Sequence, residues 1–250
     1  MRTREIIKKT AEGVMYNMVP YSILRHVPQG FDLFYDLKKL NPQYYPSVVF
    51  DVGANIGQTV TKWNKFFPKT SYHCFEPVQG TMQQLQKNTS GLRNVTYHHC
   101  ALGAATKTEE ITLFQDSRMN TLHESKGDPT VNHGKETIQI KTADTVCEQA
   151  GINHIDFLKI DTEGFDIEVL KGAQTLLKEK RITFIQVEAG MNPYNERHVP
   201  FHEFIDFLHP YGYILFGIYG QHLEWNGEKR LRMSNPVFIS AGSDFKKLNS

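Results

Sequence analysis

The stretch FDVGANIGQ, Phe50 to Gln58, reads as the end of one element and the start of another. Val48, Val49 and Phe50 make a short apolar run that ends in an acid, Asp51. Gly53 and Gly57 then bracket a small residue and an amide, Ala54 and Asn55, before Val60, Trp63 and Phe67 recur on one side at helical spacing. Strand, glycine turn and helix in that order predict the first unit of a parallel sheet. In open sheets of this kind ligands gather at the carboxyl ends of the strands, so the turn at Asp51 to Gly57 is placed where a binding site belongs.

Outward from this stretch, apolar runs predict strands at 47–52, 71–75, 95–100, 155–160, 182–188, 213–219 and 236–240. Helix-period segments lie between several of them, including one with Phe201, Phe204, Ile205 and Leu208 on a single face. The alternation predicts an α/β protein with a mostly parallel, doubly wound sheet covered on both faces. Two segments break the rhythm. Residues 1–46 read as a helical extension, with Ile7, Ala11, Val14 and Met18 at helical spacing, then Pro20, Pro28 and Gly30, then a short helix at 31–40. Its first helix carries Arg2, Arg4, Lys8 and Lys9, a solvated face or a membrane-surface contact. Residues 104–143 read as a flap inserted into the main domain, residues 47–250, with β-like stretches at 110–114 and 137–141 around Gly127, Pro129 and Gly134.

Composition narrows the function classes. The 250 residues are 40% hydrophobic and 12% aromatic, enough for one packed domain with a small appendage. Lys plus Arg number 28 against 27 Asp plus Glu, so the chain lacks the basic field with which nucleic-acid binders attract phosphates. Cys74, Cys100 and Cys147 are odd in number and set in apolar contexts, as expected of free thiols in a reducing compartment. With neither a membrane-length apolar run nor a leader pattern, the expectation is a soluble cytoplasmic protein.

The glycine turn does not fit the phosphate-binding patterns. A dinucleotide fingerprint needs G-x-G-x-x-G and a P-loop needs Lys-Ser/Thr after its second glycine, whereas here Gly53 and Gly57 are followed by Gln58-Thr59. Asp51 and Asn55 beside exposed amides suit an amino-acid zwitterion better than a pyrophosphate. Glu76, in CFEP at the end of the second strand, follows Gly57 by about the 20 positions at which an acid grips ribose hydroxyls. A ligand with an amino-acid end and a ribose is S-adenosylmethionine (SAM).

Together VVFDVGANIGQT, FEP, ALG at Ala101–Gly103, KIDTEGFDIEVLKGA at Lys159–Ala173 and VEAG at Val187–Gly190 resemble the FkbM-type SAM-dependent methyltransferases, from about Ser47 to Ile239. The resemblance implies the seven-stranded, Rossmann-like class I methyltransferase sheet with its last strand antiparallel. It implies that Asp51, Gly53, Asn55 and Gly57 line the methionine part of SAM, that Glu76 binds the ribose, that Cys100, Ala101 and Leu102 flank the adenine, and that Asp161 lies near the methyl group. The family's acceptors are hydroxyl groups on sugars, polyketides and other secondary metabolites.

Methyl transfer to an alcohol needs a group to take the hydroxyl proton, and such a group belongs at the ends of the fourth and fifth strands. Lys159 and Asp161 are two apart and share a face; they serve either as a catalytic pair or as an ion pair fixing the next helix. Glu163 either caps that helix or joins the catalysis. Glu188 closes the fifth strand. His198, ten residues on, has the ordinary pKa best matched to general-base work, although a lone loop histidine is more often a surface residue. Asp161, Glu188 and His198 could hold a cation, but nothing in their spacing requires one and no metal is expected. The Asn192–Tyr194 segment has one proline and follows the fifth strand, unlike the amino-methylating signature, and His98 to Cys100 alternate faces too strictly to chelate. The expected activity is O-methylation of a sugar, glycoconjugate or secondary metabolite, with no nucleic-acid partner and nothing opposing a homodimer. The alternatives are an RNA or protein methyltransferase, or a catalytically silent SAM-binding regulator.

Overall fold

A computed structural model describes residues 27–114 and 132–242. The first expected helix, with Ile7 to Met18, and the polar segment around Gly127 and Pro129 lie outside these residues. In chain order the elements are α1 (Leu33–Leu40), β1 (Val48–Val52), α2 (Gln58–Phe66), β2 (Ser71–Phe75), α3 (Gln79–Asn88), β3 (Val95–His98), β4 (Ala101–Leu102), β5 (Lys107–Phe114) and β6 (Asn132–Lys141). There follow α4 (Ala143–Ala150), β7 (Ile155–Ile160), α5 (Asp166–Lys171), α6 (Gln174–Lys178), β8 (Ile182–Gln186), β9 (Ala189–Gly190), α7 (Phe201–Leu208), β10 (Tyr213–Leu223) and β11 (Leu231–Ser240).

The main sheet runs β10-β11-β8-β7-β1-β2-β3, with β9 pairing to β11. Strands β1, β2, β3, β7 and β8 are parallel, and β11 is antiparallel to both β8 and β10. This is the doubly wound class I methyltransferase sheet with its last strand reversed. The chain leaves β1 in one direction for β2 and returns on the other side for β7, so the crevice between those crossovers opens above the end of β1.

Alternation along the strands supplies both faces of the sheet. In β1, Val49 packs with Trp63, Leu85 and Phe157 on one face, while Phe50 packs with Leu158, Val169 and Leu208 on the other. Helix α1 belongs to the first face, where Leu33, Phe34 and Leu37 are buried in the same cluster. Asp32 caps α1 by accepting from the Tyr35 amide at 2.9 Å, and the Tyr219 hydroxyl of β10 donates to the buried Asp36 at 2.9 Å. In the segment between β4 and α4, β5 and β6 form an antiparallel pair that joins β4 in a separate three-stranded sheet. Its Ile111, Ile138 and Ile140 pack against Val78, which brings the hairpin over the carboxyl end of the main sheet. Strands β10 and β11 run longer than their apolar cores at 213–219 and 236–240, because the hairpin continues through polar residues to Leu223 and Leu231.

Candidate active site

A cavity of about 340 Å³ follows the carboxyl ends of β1, β2, β4 and β7. One end is apolar, lined by Val78, Leu102, Ile111 and Ile138. Glu76 and Asn55 stand at the middle, and the other end is acidic, lined by Asp161, Glu163 and Glu188.

The turn after β1 is built by the glycines, each for a different reason. Gly53 has φ +76°, and a Cβ there would lie 1.9 Å from the Asp161 carbonyl oxygen, so the turn closes onto β7 only without a side chain. Gly57, at φ +89°, caps α2; its missing side chain admits Leu85 and Thr89 of the neighbouring helix end, and Gly57 does not line the cavity. The amides of Gly53 and Ala54 both donate to the Phe75 carbonyl, at 3.1 and 3.0 Å, and that of Asn55 donates to Glu76 Oε2 at 3.1 Å. This corrects the expectation of exposed amides: those three are spent holding the turn against β2.

Glu76 is fixed from two sides, since its Oε1 also accepts from the Val78 amide at 3.0 Å. Burial pushes its carboxyl up to about 7, against the pull of the two amides, with the charges of Asp51 and Glu136 adding to the rise. Asp51 is buried on β1 directly opposite Lys159 on β7. The Lys159 ammonium lies 3.3 Å from Asp51 Oδ1 and 3.0 Å from Asp161 Oδ2. Burial opposes the ammonium, but the carboxylates of Asp161 and Asp51 outweigh it and hold Lys159 above the ordinary lysine range. Burial raises Asp51 as well, with Lys159 pulling it back.

Beyond Asp161 the chain turns sharply, with Glu163 at φ +55° and Gly164 at φ +97°. This swings Glu163 toward the end of β8. Asp166, fully buried, joins the two segments: it accepts from the Thr162 hydroxyl at 2.7 Å and from the Glu188 amide at 3.2 Å. Burial pushes Asp166 up to about 6. Glu188 lies two residues past the end of β8, not on the strand as the apolar run suggested, because β11 pairs with β8 only as far as Gln186. His198 is buried, not on the surface; its Nε2 lies 3.1 Å from Glu188 Oε2 and 3.8 Å from Glu163 Oε2. Glu163 also receives Arg197 Nε at 2.7 Å, and burial together with the Glu188 charge pushes its carboxyl up to about 7.

The structure thus brings Gly53, Asn55, Glu76, Ala101, Leu102, Lys159, Asp161 and Glu188 to one cavity. Cys100 points into the core below it, and His198 stands behind Glu188. Glu163, left open between capping and catalysis, caps no helix: α5 begins at Asp166 with Phe165 in the cap position. Sequence reasoning missed Asn195, whose Oδ1 lies 3.0 Å from His198 Nδ1. The signal was there, since an asparagine three residues before a histidine in a turn commonly folds back on the backbone.

The family model of the methyltransferase FkbM domain matches residues 51–215. The chain belongs to the FkbM methyltransferase family. It is 28% identical over 152 residues to the hexuronic acid methyltransferase AglP of Haloferax volcanii, covering 58% of each chain. It is 22% identical over 173 residues to the 2-O-methyltransferase NoeI of Sinorhizobium fredii, covering 64% of this chain and 70% of that one. The chain therefore spans less than two thirds of the first of these relatives. Among solved structures, TrmK of M. capricolum with S-adenosyl-homocysteine aligns with TM-score 0.47 at 9% identity, covering 84% of this chain and 69% of that chain.

The cofactor of FkbM methyltransferases is SAM, and the cavity's residues fit it. The apolar end between Leu102, Ile111 and Ile138 suits a flat base. Glu76 offers carboxylate oxygens at the middle, where a diol would fall, and the acidic end suits a positively charged sulfonium. Asp51, expected to line the methionine part, does not reach the cavity: it is buried beneath the turn beside Lys159, with neither oxygen in a well-formed hydrogen bond.

Proposed function

We propose that this FkbM methyltransferase methylates a hydroxyl oxygen of a sugar, a glycoconjugate or a secondary metabolite. The observation that carries this reading is the carboxylate pair Glu163 and Glu188 on the cavity wall with His198 buried behind it. An alcohol attacks only as its proton leaves, and a positioned acceptor for that proton typically contributes about 10²- to 10⁴-fold. SAM, when bound, supplies an electrophilic methyl group whose carbon–sulfur bond breaks as the new carbon–oxygen bond forms, leaving a neutral thioether and one proton.

The protein's share is placement and proton uptake. Glu76 and the Gly53–Asn55 turn orient the cofactor, and Lys159 holds Asp161 at the wall. Asp166 fixes the end of β8, so that Glu188 faces the acceptor. Glu188 and His198 take the proton, with Asn195 holding the ring. The names of the two relatives, a hexuronic acid methyltransferase and a 2-O-methyltransferase, favour a sugar-like acceptor. The near-neutral chain charge and the absence of the two-proline amino-methylating signature favour it over RNA or protein. Three free, buried cysteines suit a reducing compartment, and no helix among the described residues is long and apolar enough to cross a membrane.

Incubation with SAM carrying a ¹³C methyl group and fractionated glycans and metabolites tests the reading. The expected product shows a methyl carbon at the chemical shift of an ether. A methyl on nitrogen or carbon, or no product from any fraction while the cofactor binds, contradicts it.

A further inference from the structure

Glu163, Glu188 and His198 come from three segments, the turn after β7, the end of β8 and the loop before α7. Each brings one ligand atom to a common spot, all within 4.8 Å of one another. His198 is oriented by Asn195. Asn195 Nδ2 donates to the Arg232 carbonyl at 2.8 Å, and Asn195 Oδ1 accepts from the Arg197 and His198 amides, each at 3.2 Å. The backbone therefore fixes which end of the amide is oxygen. His198 Nδ1 faces that oxygen at 3.0 Å, so Nδ1 carries the hydrogen and Nε2 turns toward the two carboxylates.

A neutral ring would then aim a lone pair at two carboxylates, which is unfavourable unless a positive charge lies between them. A proton on Nε2 is one way to provide it. Yet Glu188 Oε2, buried and 3.1 Å away, has no hydrogen-bond partner, so the oxygen lies off the axis along which a ring N–H would point. A metal ion does not need to lie on the line between nitrogen and oxygen. Ligand atoms about 2.0–2.2 Å from an ion stand roughly 3 Å apart, the spacing His198 and Glu188 already have. Glu163 would close in by roughly 1 Å, with Arg197 on one of its oxygens.

The side chain of His198 is 5% exposed and aimed into this spot, and its Nδ1–H bond to an amide oxygen is the outer-shell contact that metal-bound histidines usually make. Glu163 and Glu188 both line the cavity, so the remaining side faces the acceptor. Asp161, weighed with Glu188 and His198 as a conceivable cation site although their spacing required none, pairs with Lys159 at 3.0 Å and is replaced in the cluster by Glu163.

We propose that Glu163, Glu188 and His198 form a binding site for a divalent cation such as Mn²⁺ or Mg²⁺, with the acceptor hydroxyl as a further ligand. The role of the ion rests on the O-methylation reading: a bound hydroxyl is acidified, and its proton passes to a carboxylate oxygen that the ion leaves unused. His198 then acts as a ligand, and the deprotonating function of the cluster is kept.

The test is titration of the full chain with Mn²⁺, followed by the electron paramagnetic resonance signal of the free ion, with SAM affinity measured by calorimetry on the same samples. One site per chain is expected. Glu163→Gln and Glu188→Gln should each weaken Mn²⁺ by at least about tenfold; both replacements are isosteric, and although losing a carboxylate beside the sulfonium weakens SAM affinity, binding of one SAM per chain together with a wild-type melting transition shows that the fold is intact. No Mn²⁺ binding at millimolar concentration by a SAM-competent wild type, or equal Mn²⁺ affinity in wild type and both variants, overturns the proposal. An ether product formed at full rate in excess EDTA also overturns the metal site while leaving O-methylation standing; a nitrogen-bound methyl would instead remove the reading beneath it.

Discussion

Lys159 and Asp51 are register partners on adjacent parallel strands, and their side chains meet at 3.3 Å where the two strands end. The pairing ties the first glycine turn to the segment that carries Asp161 and Glu163. Lys159→Met should leave Asp51 as a buried carboxylate without its cation, at a cost of about 3–5 kcal/mol, read by urea unfolding. Adding Asp51→Asn removes the stranded charge and should recover part of the loss. If the double variant is no more stable than Lys159→Met, the ion pair is not what holds the lip together.

Glu76 makes cofactor affinity depend on pH. Its carboxyl is pushed up to about 7 in the free protein, whereas ribose hydroxyls donating to it favour the ionised form. The complex therefore has the lower pKa, and below pH about 7 binding must first expel a proton. The SAM affinity should be flat above that point and fall by up to about tenfold per pH unit below it. Calorimetry from acid to alkaline pH checks this. Glu76→Gln should bind weakly and without that slope, and a wild-type slope of opposite sign would contradict the role given to Glu76.

The two glycines of the turn should fail differently. Gly53→Ala drives a Cβ into the Asp161 backbone oxygen and should lose SAM binding together with stability. Gly57→Ala meets only the ends of the Leu85 and Thr89 side chains and carries the same left-handed strain, about 1–3 kcal/mol. Its melting temperature should fall while SAM still binds the folded fraction. Equal loss of affinity in both variants would show that Gly57 touches the cofactor.

His198→Ala should leave SAM affinity intact and slow transfer by about 10²- to 10⁴-fold, as expected when a proton-handling centre is disabled. Asn195→Ala, which frees the ring without removing it, should lower turnover less and leave the KM for SAM unchanged. Single-turnover kinetics at saturating SAM read the loss of rate in both variants, and steady-state rates over a range of SAM concentrations read the KM. Unaltered turnover in His198→Ala would exclude the ring from the chemistry.

The sheet and the place of the cavity at its carboxyl edge were legible because each signal is local. The Gly53 and Gly57 spacing, the strand before it, and Glu76 at the end of the next strand are all properties of short continuous segments. The acceptor end was less so. Alternation correctly joined Lys159 to Asp161, but it stops applying once β7 ends at Ile160, and the left-handed backbone at Glu163 and Gly164 sends Glu163, not Asp161, toward Glu188. The local turn signal shows only that the Asn195 side chain folds back toward His198; that it orients the ring depends on the distant Arg232 carbonyl that fixes its amide. Strands β4 and β9, two residues each, are too short to carry any period.

A crystal structure of the protein with S-adenosyl-homocysteine puts the central claim to its most direct test. The ribose hydroxyls should lie within hydrogen-bond distance of Glu76 and the base between Leu102, Ile111 and Ile138, with the thioether sulfur turned toward Glu163 and Glu188. A ribose away from Glu76, or a sulfur turned from those carboxylates, would contradict it.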